Sequence, residues 1–142
     1  MKILGKDPGE TTGYVLFNTA TYELIEWGTY PRWSRARELI QQADLVICED
    51  FLLFPHKAIS QIGSRLVPVG VKFVIEYLCE ELGVPIEYSL PSNQQFFTDS
   101  KLKRMDLYLP NRHVRSAWKH VLCHLRVNND EWIDTRIRML IQ

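Results

Sequence analysis

Two acidic residues stand where strands end. Asp7 closes the run Lys2-Ile3-Leu4-Gly5-Lys6, and Glu49 closes Leu45-Val46-Ile47-Cys48. Open α/β sheets gather ligands and catalytic groups at the carboxyl ends of such strands. If these two strands are neighbours, a pair of carboxylates meets at one sheet edge. Partly buried, the pair repels itself and one pKa rises, unless a cation lies between them. A hard divalent ion, Mg²⁺ or Mn²⁺, suits oxygen donors of this kind. The plainer reading is that Asp7 only opens the Asp7-Pro8-Gly9 turn and Glu49 only ends a strand.

A third group of chemistry-bearing residues lies on one helix. Placed at roughly 100° intervals from His113, residues Val114, Ala117, Trp118, Val121, Leu122 and Leu125 fall on an arc of roughly 40° to 180°, a core-facing stripe. Arg112, Arg115, Lys119 and Arg126 cluster near 200° to 260°, while His113, His120 and His124 lie within about 20° of zero and Ser116 about 60° off it, away from the core. The helix therefore has a core face, a basic face and a polar border. His120 and His124 could form an i,i+4 metal pair, although Val121-Leu122-Cys123 between them lacks the glutamate of a zinc-protease helix.

These residues need elements to position them. Lys2–Asp7 reads as a strand stopped by Pro8-Gly9, residues 13–17 resume extended chemistry up to an Asn18-Thr19 turn, and Tyr22 to Tyr30 completes three strands. A short helix over about 35–42 has Ala36, Leu39 and Ile40 at helical spacing. The unbroken apolar run 45–48 suits a central, parallel strand buried on both faces and covered by helices. A helix follows over about 61–82, ended by Gly83, with Pro68 marking its start or a kink. Residues 84–90 return to strand. Residues 91–112 read as a long polar loop with a short helix around 100–104, and 113–127 is the last clear helix. The expectation is an α/β domain spanning 1–142.

Composition agrees with that. The chain has 142 residues, 46% hydrophobic and 24% charged, enough for a packed core. No apolar run approaches the roughly 18–20 residues of a membrane span and no signal-peptide pattern opens the chain, so a soluble cytoplasmic protein without membrane partners is expected. Cys48, Cys79 and Cys123 are scattered among apolar neighbours and read as buried thiols rather than disulfides or a zinc knuckle. Net charge is zero, which alone argues against a nucleic-acid binder. Its distribution argues otherwise: residues 1–50 hold 5 Lys/Arg against 8 Asp/Glu, and residues 99–142 hold 9 against 5. An acidic metal site beside a basic phosphate-binding surface leaves that imprint.

Taken together, the motifs resemble a family. Ile3-Leu4-Gly5-Lys6-Asp7-Pro8-Gly9-Glu10-Thr11-Thr12-Gly13-Tyr14 is similar to the first-strand motif of RuvC-like resolvases in the RNase H-like superfamily. Val46-Ile47-Cys48-Glu49-Asp50-Phe51 resembles their fourth-strand motif. Leu102 to Tyr108, then His113 to His120, resembles the C-terminal region of phage-type members, where a His-x-x-Asp-Ala helix completes the site. The resemblance implies an RNase H-like fold, a five-stranded mixed sheet in the order 3-2-1-4-5 flanked by helices. It also implies catalytic positions at Asp7, Glu49, His113 and Ser116, with Asp7, Glu49 and His113 as ligands to up to two Mg²⁺ or Mn²⁺ ions. Glu49 is preferred to Asp50, because alternation sends them to opposite faces and the family motif falls on the former.

Two positions depart from the family. Ser116 stands where it has its last aspartate, which removes a negative charge and implies weakened or abolished cleavage. Lys6 stands where an apolar residue is usual; alternation points it away from Asp7, and it needs a carboxylate or phosphate partner. For nucleic acid, Lys101, Lys103, Arg104, Arg112, Arg115 and Lys119 lie within nineteen residues against the single acid Asp106. Phe51 and Phe54 are placed to insert between bases, or to pack in a core or dimer interface.

The implied activity is metal-dependent hydrolysis of branched DNA, most simply at Holliday junctions, by a homodimer of a phage or a bacterial cell. An RNA-processing nuclease of the same superfamily and a junction binder without cleavage remain alternatives. Asp7-Pro8-Gly9-Glu10-Thr11-Thr12-Gly13 also looks like the phosphate loop of actin-like and sugar kinases. Those close two domains around ATP, so for this length no nucleotide cofactor is expected.

Overall fold

Strand character is strongest at the centre of the sheet. The computed structural model describes residues 1–50 and 58–141, with residues 58–66 through their backbone only. Strands β1 (Lys2–Asp7), β2 (Thr11–Asn18), β3 (Glu23–Pro31), β4 (Leu45–Glu49) and β5 (Ile86–Ser89) form one sheet in the order β3-β2-β1-β4-β5. β1 pairs antiparallel with β2 and parallel with β4, and β4 pairs parallel with β5. This is the expected mixed topology. All of β4 is buried, as its unbroken apolar run requires, whereas edge strand β3 alternates between half-buried and exposed until Tyr30, which is buried.

The helices cover both faces. α1 (Ala36–Gln41) and α2 (Ala58–Leu82) lie on one, enclosing Leu4, Tyr14, Leu16, Val46 and Cys48 with Leu39, Ile40, Ile75 and Cys79. α4 (Arg112–Val127) lies on the other, where Val114, Trp118, Val121, Leu122 and Leu125 pack on Ile3, Val15, Phe17, Leu45 and Ile47. The apolar arc read from helical periodicity is the arc that is buried. Gly83 ends α2 at φ +68°. Pro68 lies inside α2, which begins at Ala58, so it is not the helix start.

Two elements differ from the sequence reading. Segment 91–112 is more ordered than a loop: Pro91–Phe96 forms a 3₁₀ turn, and α3 spans Asp99–Arg104 behind a Thr98 cap. A further helix, α5 (Glu131–Arg138), follows α4. Asp130 caps it by accepting from the amides of Trp132 and Ile133, and Trp132 stacks on Tyr22 with ring centroids 5.2 Å apart. Eight residues are too few for periodicity to announce a helix against surrounding polarity. Among the described residues no helix is long and apolar enough to cross a membrane.

Candidate active site

The phase of each strand selects which acids meet. Ile3 and Ile47 face α4, so two-residue alternation sends Asp7 and Glu49 to that side also, one step beyond the Lys6–Cys48 register pair. Asp50 points the other way and is held by Lys72 of α2 at 2.5 Å. Asp7 and Glu49 are close enough for the Asp7 carboxyl to hydrogen-bond Glu49. Burial, then that hydrogen bond and the charge of Glu49, push Asp7 up to about 8, against a modest opposing pull from His113 and His120. A proton thus sits where two carboxylates compete for a positive charge.

Two glycines bring α4 down onto these acids. A Cβ on Gly5 would lie 2.5 Å from Val121 Cγ2 and 2.8 Å from the Ala117 carbonyl oxygen. A Cβ on Gly13, the register partner of Asp7, would collide with the His113 carbonyl. Only a residue without a side chain lets the first turn of α4 approach there. Asn111 caps that turn, accepting from the amides of His113 (2.9 Å) and Val114 (3.1 Å). The result places His113 Nδ1 3.8 Å from Asp7 Oδ2.

The site contains more than the sequence pointed to. His120, fully buried, sets Nε2 3.3 Å from Glu49 Oε1 and Nδ1 2.6 Å from Ser89 Oγ. Burial, only partly offset by Asp7, holds its pKa down at about 4, so the ring is neutral at pH 7. Gln94, from the 3₁₀ turn, donates to Glu49 Oε1 at 2.8 Å and Ser116 Oγ at 2.9 Å. Its place in a polar stretch offered no periodic signal. His124 turns to Glu87 at 3.0 Å, so it does not join His120 as a metal pair.

Asp7, Glu49, His113 and Ser116 therefore converge on one end of the sheet. Among the described residues no group of three or more His, Cys, Asp or Glu side chains is arranged as a ready metal cage. The donors do fit one hard dication: Asp7 and Glu49 supply two carboxylates, and such ions often take one or two carboxylates and complete their shell with water and phosphate. The elevated Asp7 is consistent with this fit, since an ion between the pair would offset the burial and the Glu49 charge that together hold the proton. Ser116 offers a hydroxyl beside them and no charge for a further ion.

The basic residues divide. Arg115 and Lys119 both bind Asp99, at 2.9 and 3.0 Å, and Arg115 also donates to Tyr108 and to the Leu109 and Pro110 carbonyls. Asp99 lies just outside the window that counted one acid. Arg104 donates to the Leu140 carbonyl at 2.6 Å, Lys101 and Lys103 lie over the Phe96 and Tyr108 rings, and Arg112 is exposed at the start of α4. Phe51 and Phe54 lie outside the described residues. Lys6 turns from Asp7 as alternation requires, and its partner is neither a carboxylate nor a phosphate but the Tyr30 hydroxyl.

No protein-family model and no curated protein sequence matches the chain. Solved structures do. One, T. thermophilus RuvC in complex with a Holliday junction substrate, is 16% identical, aligns over 91% of this chain and 95% of its own, and superposes with a TM-score of 0.62. A second Thermus thermophilus RuvC structure, also 16% identical, aligns over 91% and 96% with a TM-score of 0.56. The chain has the RNase H-like fold of these resolvases.

Proposed function

We propose that this chain is a divalent-metal-dependent endonuclease of branched DNA, acting at four-way junctions as a homodimer of single nuclease domains, with cleavage weakened by Ser116. The meeting of Asp7 and Glu49 at the carboxyl ends of β1 and β4 carries this reading. Its substrate is suggested by a neighbour of the same fold solved on a Holliday junction.

A Mg²⁺ or Mn²⁺ ion bound there supplies Lewis-acid charge, easing ionisation of water and offsetting charge that develops on the phosphodiester. Asp7 and Glu49 hold it. Glu49 Oε1 accepts from the Gln94 amide, so one of its oxygens is already committed before any ligand arrives. His113, half-exposed beside Asp7, is set to contact a phosphate or an ion's water shell. Ser116 contributes a hydroxyl but no charge, which lowers the attraction for dications. Lys101, Lys103 and Arg112 offer backbone contacts that weaken as salt rises.

A gel assay with Mn²⁺ tests this on a four-way junction, a linear duplex and an RNA–DNA hybrid. The junction is expected to be bound and nicked in preference, and Asp7→Asn to abolish the nicking. Ser116 favours one second reading, a junction-binding protein without cleavage; retained junction affinity with no product selects it. Preference for the hybrid moves the assignment to RNA processing. Equal binding of junction and linear duplex overturns the branched-DNA reading.

A further inference from the structure

A two-ion site of this fold needs acceptor atoms for both ions, and here the second set of acceptors surrounds an amide. Gln94 Nε2 lies 2.8 Å from Glu49 Oε1, 2.9 Å from Ser116 Oγ and 3.0 Å from His120 Nε2. Those atoms come from the end of β4 and from two successive turns of α4. Atoms with lone pairs converging on one point are what a cation requires, and a neutral amide fills it instead, its two protons shared among the three.

The orientation follows from chemistry. Were the amide reversed, its oxygen would face the Glu49 carboxylate and a Gln94 donor would be lost. The surroundings are built to hold it: His120 is fully buried, its other ring nitrogen is 2.6 Å from Ser89 Oγ, and Asn93 donates to that hydroxyl at 3.1 Å. Ser116 belongs to the same arrangement. An aspartate there would add a second anion beside Glu49, and an amide's partial charge offsets two carboxylates far less than a dication does.

We infer that the Gln94 carboxamide stands in for a second metal ion, with Gln94 and Ser116 a matched pair, so that the chain holds a single dication on Asp7 and Glu49. This rests on the metal reading proposed above. Asp7 lies outside the amide's set of acceptors and stays free to share one ion with Glu49.

Calorimetric titration of the full chain with Mn²⁺, alongside electron paramagnetic resonance, tests it. The wild type is expected to bind one Mn²⁺ per chain with an uncoupled spectrum. Ser116→Asp alone still binds one, because the amide keeps its place. Ser116→Asp with Gln94→Ala binds two, with the spectrum of an exchange-coupled pair. Gln94→Ser in place of Gln94→Ala gives the same count and keeps a polar group, should the alanine variant lose its fold by circular dichroism. Two ions in the wild type or in Ser116→Asp alone, or one in both double variants, overturns the role of Gln94 and leaves the Asp7–Glu49 metal reading standing. No Mn²⁺ bound by the wild type overturns that reading, and this inference with it.

Discussion

Lys6 and Asp7 are neighbours on β1, yet they enter opposite faces of the sheet and meet opposite solutions to one problem. Both are ionisable groups taken out of water, and burial drives each toward its neutral form: Lys6 down to about 7, Asp7 up to about 8. On the α1/α2 face Lys6 is fully buried, donates to the Tyr30 hydroxyl and lies 4.7 Å from the ring centroid, among Cys48 and Cys79. Among the described residues no acid pairs with the ammonium there, and its burial is a cost. On the α4 face Asp7 meets Glu49, and burial, the hydrogen bond to Glu49 and its like charge together enforce a neutral form that a dication would relieve. The same burial is a structural burden on one face and a preformed demand for a ligand on the other.

The comparison breaks most severely through Gly13. A Gly13→Ala substitution drives a methyl into the His113 backbone and should separate α4 from β2, destabilising the fold by roughly 3 kcal/mol in urea denaturation. His113 then leaves Asp7, while the Lys6 face is untouched. A Gly13→Ala protein with wild-type stability would show that this close approach does not hold the site together.

Removing the demand itself is the next test. Asp7→Asn mimics the protonated acid, so Mn²⁺ affinity measured by calorimetry should fall about a hundredfold or more, on the order of 2.7 kcal/mol. Metal-free stability sharpens the point. The unfolded chain releases the Asp7 proton near 3.8 and the folded chain holds it to about 8. The contribution is therefore fully present below 3.8 and lost as pH rises through 8. Relative to Asp7→Asn, wild-type stability should decline over that window and level off above it. His120 acts in the other direction: neutral in the fold down to about 4 and protonated in the unfolded chain below 6.5, it erodes stability as pH falls from 6.5 to 4. The fall attributable to Asp7 is cleanest between pH 6.5 and 7, above the His120 window and below that of Lys6.

The smallest expected effect lies on the other face. Lys6→Met together with Tyr30→Phe replaces the buried amine and phenol with apolar groups of similar size and should stabilise the protein by about 1–2 kcal/mol at pH 6. With a folded pKa near 7 and an unfolded value of 10.5, Lys6 makes stability rise with pH between those values. That slope should vanish in the double variant, with metal binding unchanged. Destabilisation would mean that the Lys6–Tyr30 pair holds this core together.

Particular residues show how much was legible. β4 could be placed at the sheet centre because the unbroken apolar run Leu45–Cys48 suits a strand covered on both faces, and all of Leu45–Glu49 is buried. The inward stripe of α4 followed from its 3.6-residue period, and the choice of Glu49 over Asp50 agrees with the two-residue period of a strand, as Lys72 on the far face attests. Gln94, by contrast, sits in a polar stretch with no period at all. His120 lay at a border angle beside the core arc, where spacing alone could not say buried or exposed. Asp99 took up Arg115 and Lys119 from sixteen and twenty residues away.

The chain by itself determined which acids share a face, because alternation along a strand and rotation along a helix are local consequences of backbone geometry. Only the folded molecule decided what surrounds them. The amide of Gln94, the imidazole of His120 and the hydroxyls of Ser89 and Ser116 come from separate segments. They touch because two glycines let α4 settle onto the sheet, a matter of packing distance that local periodicity does not encode.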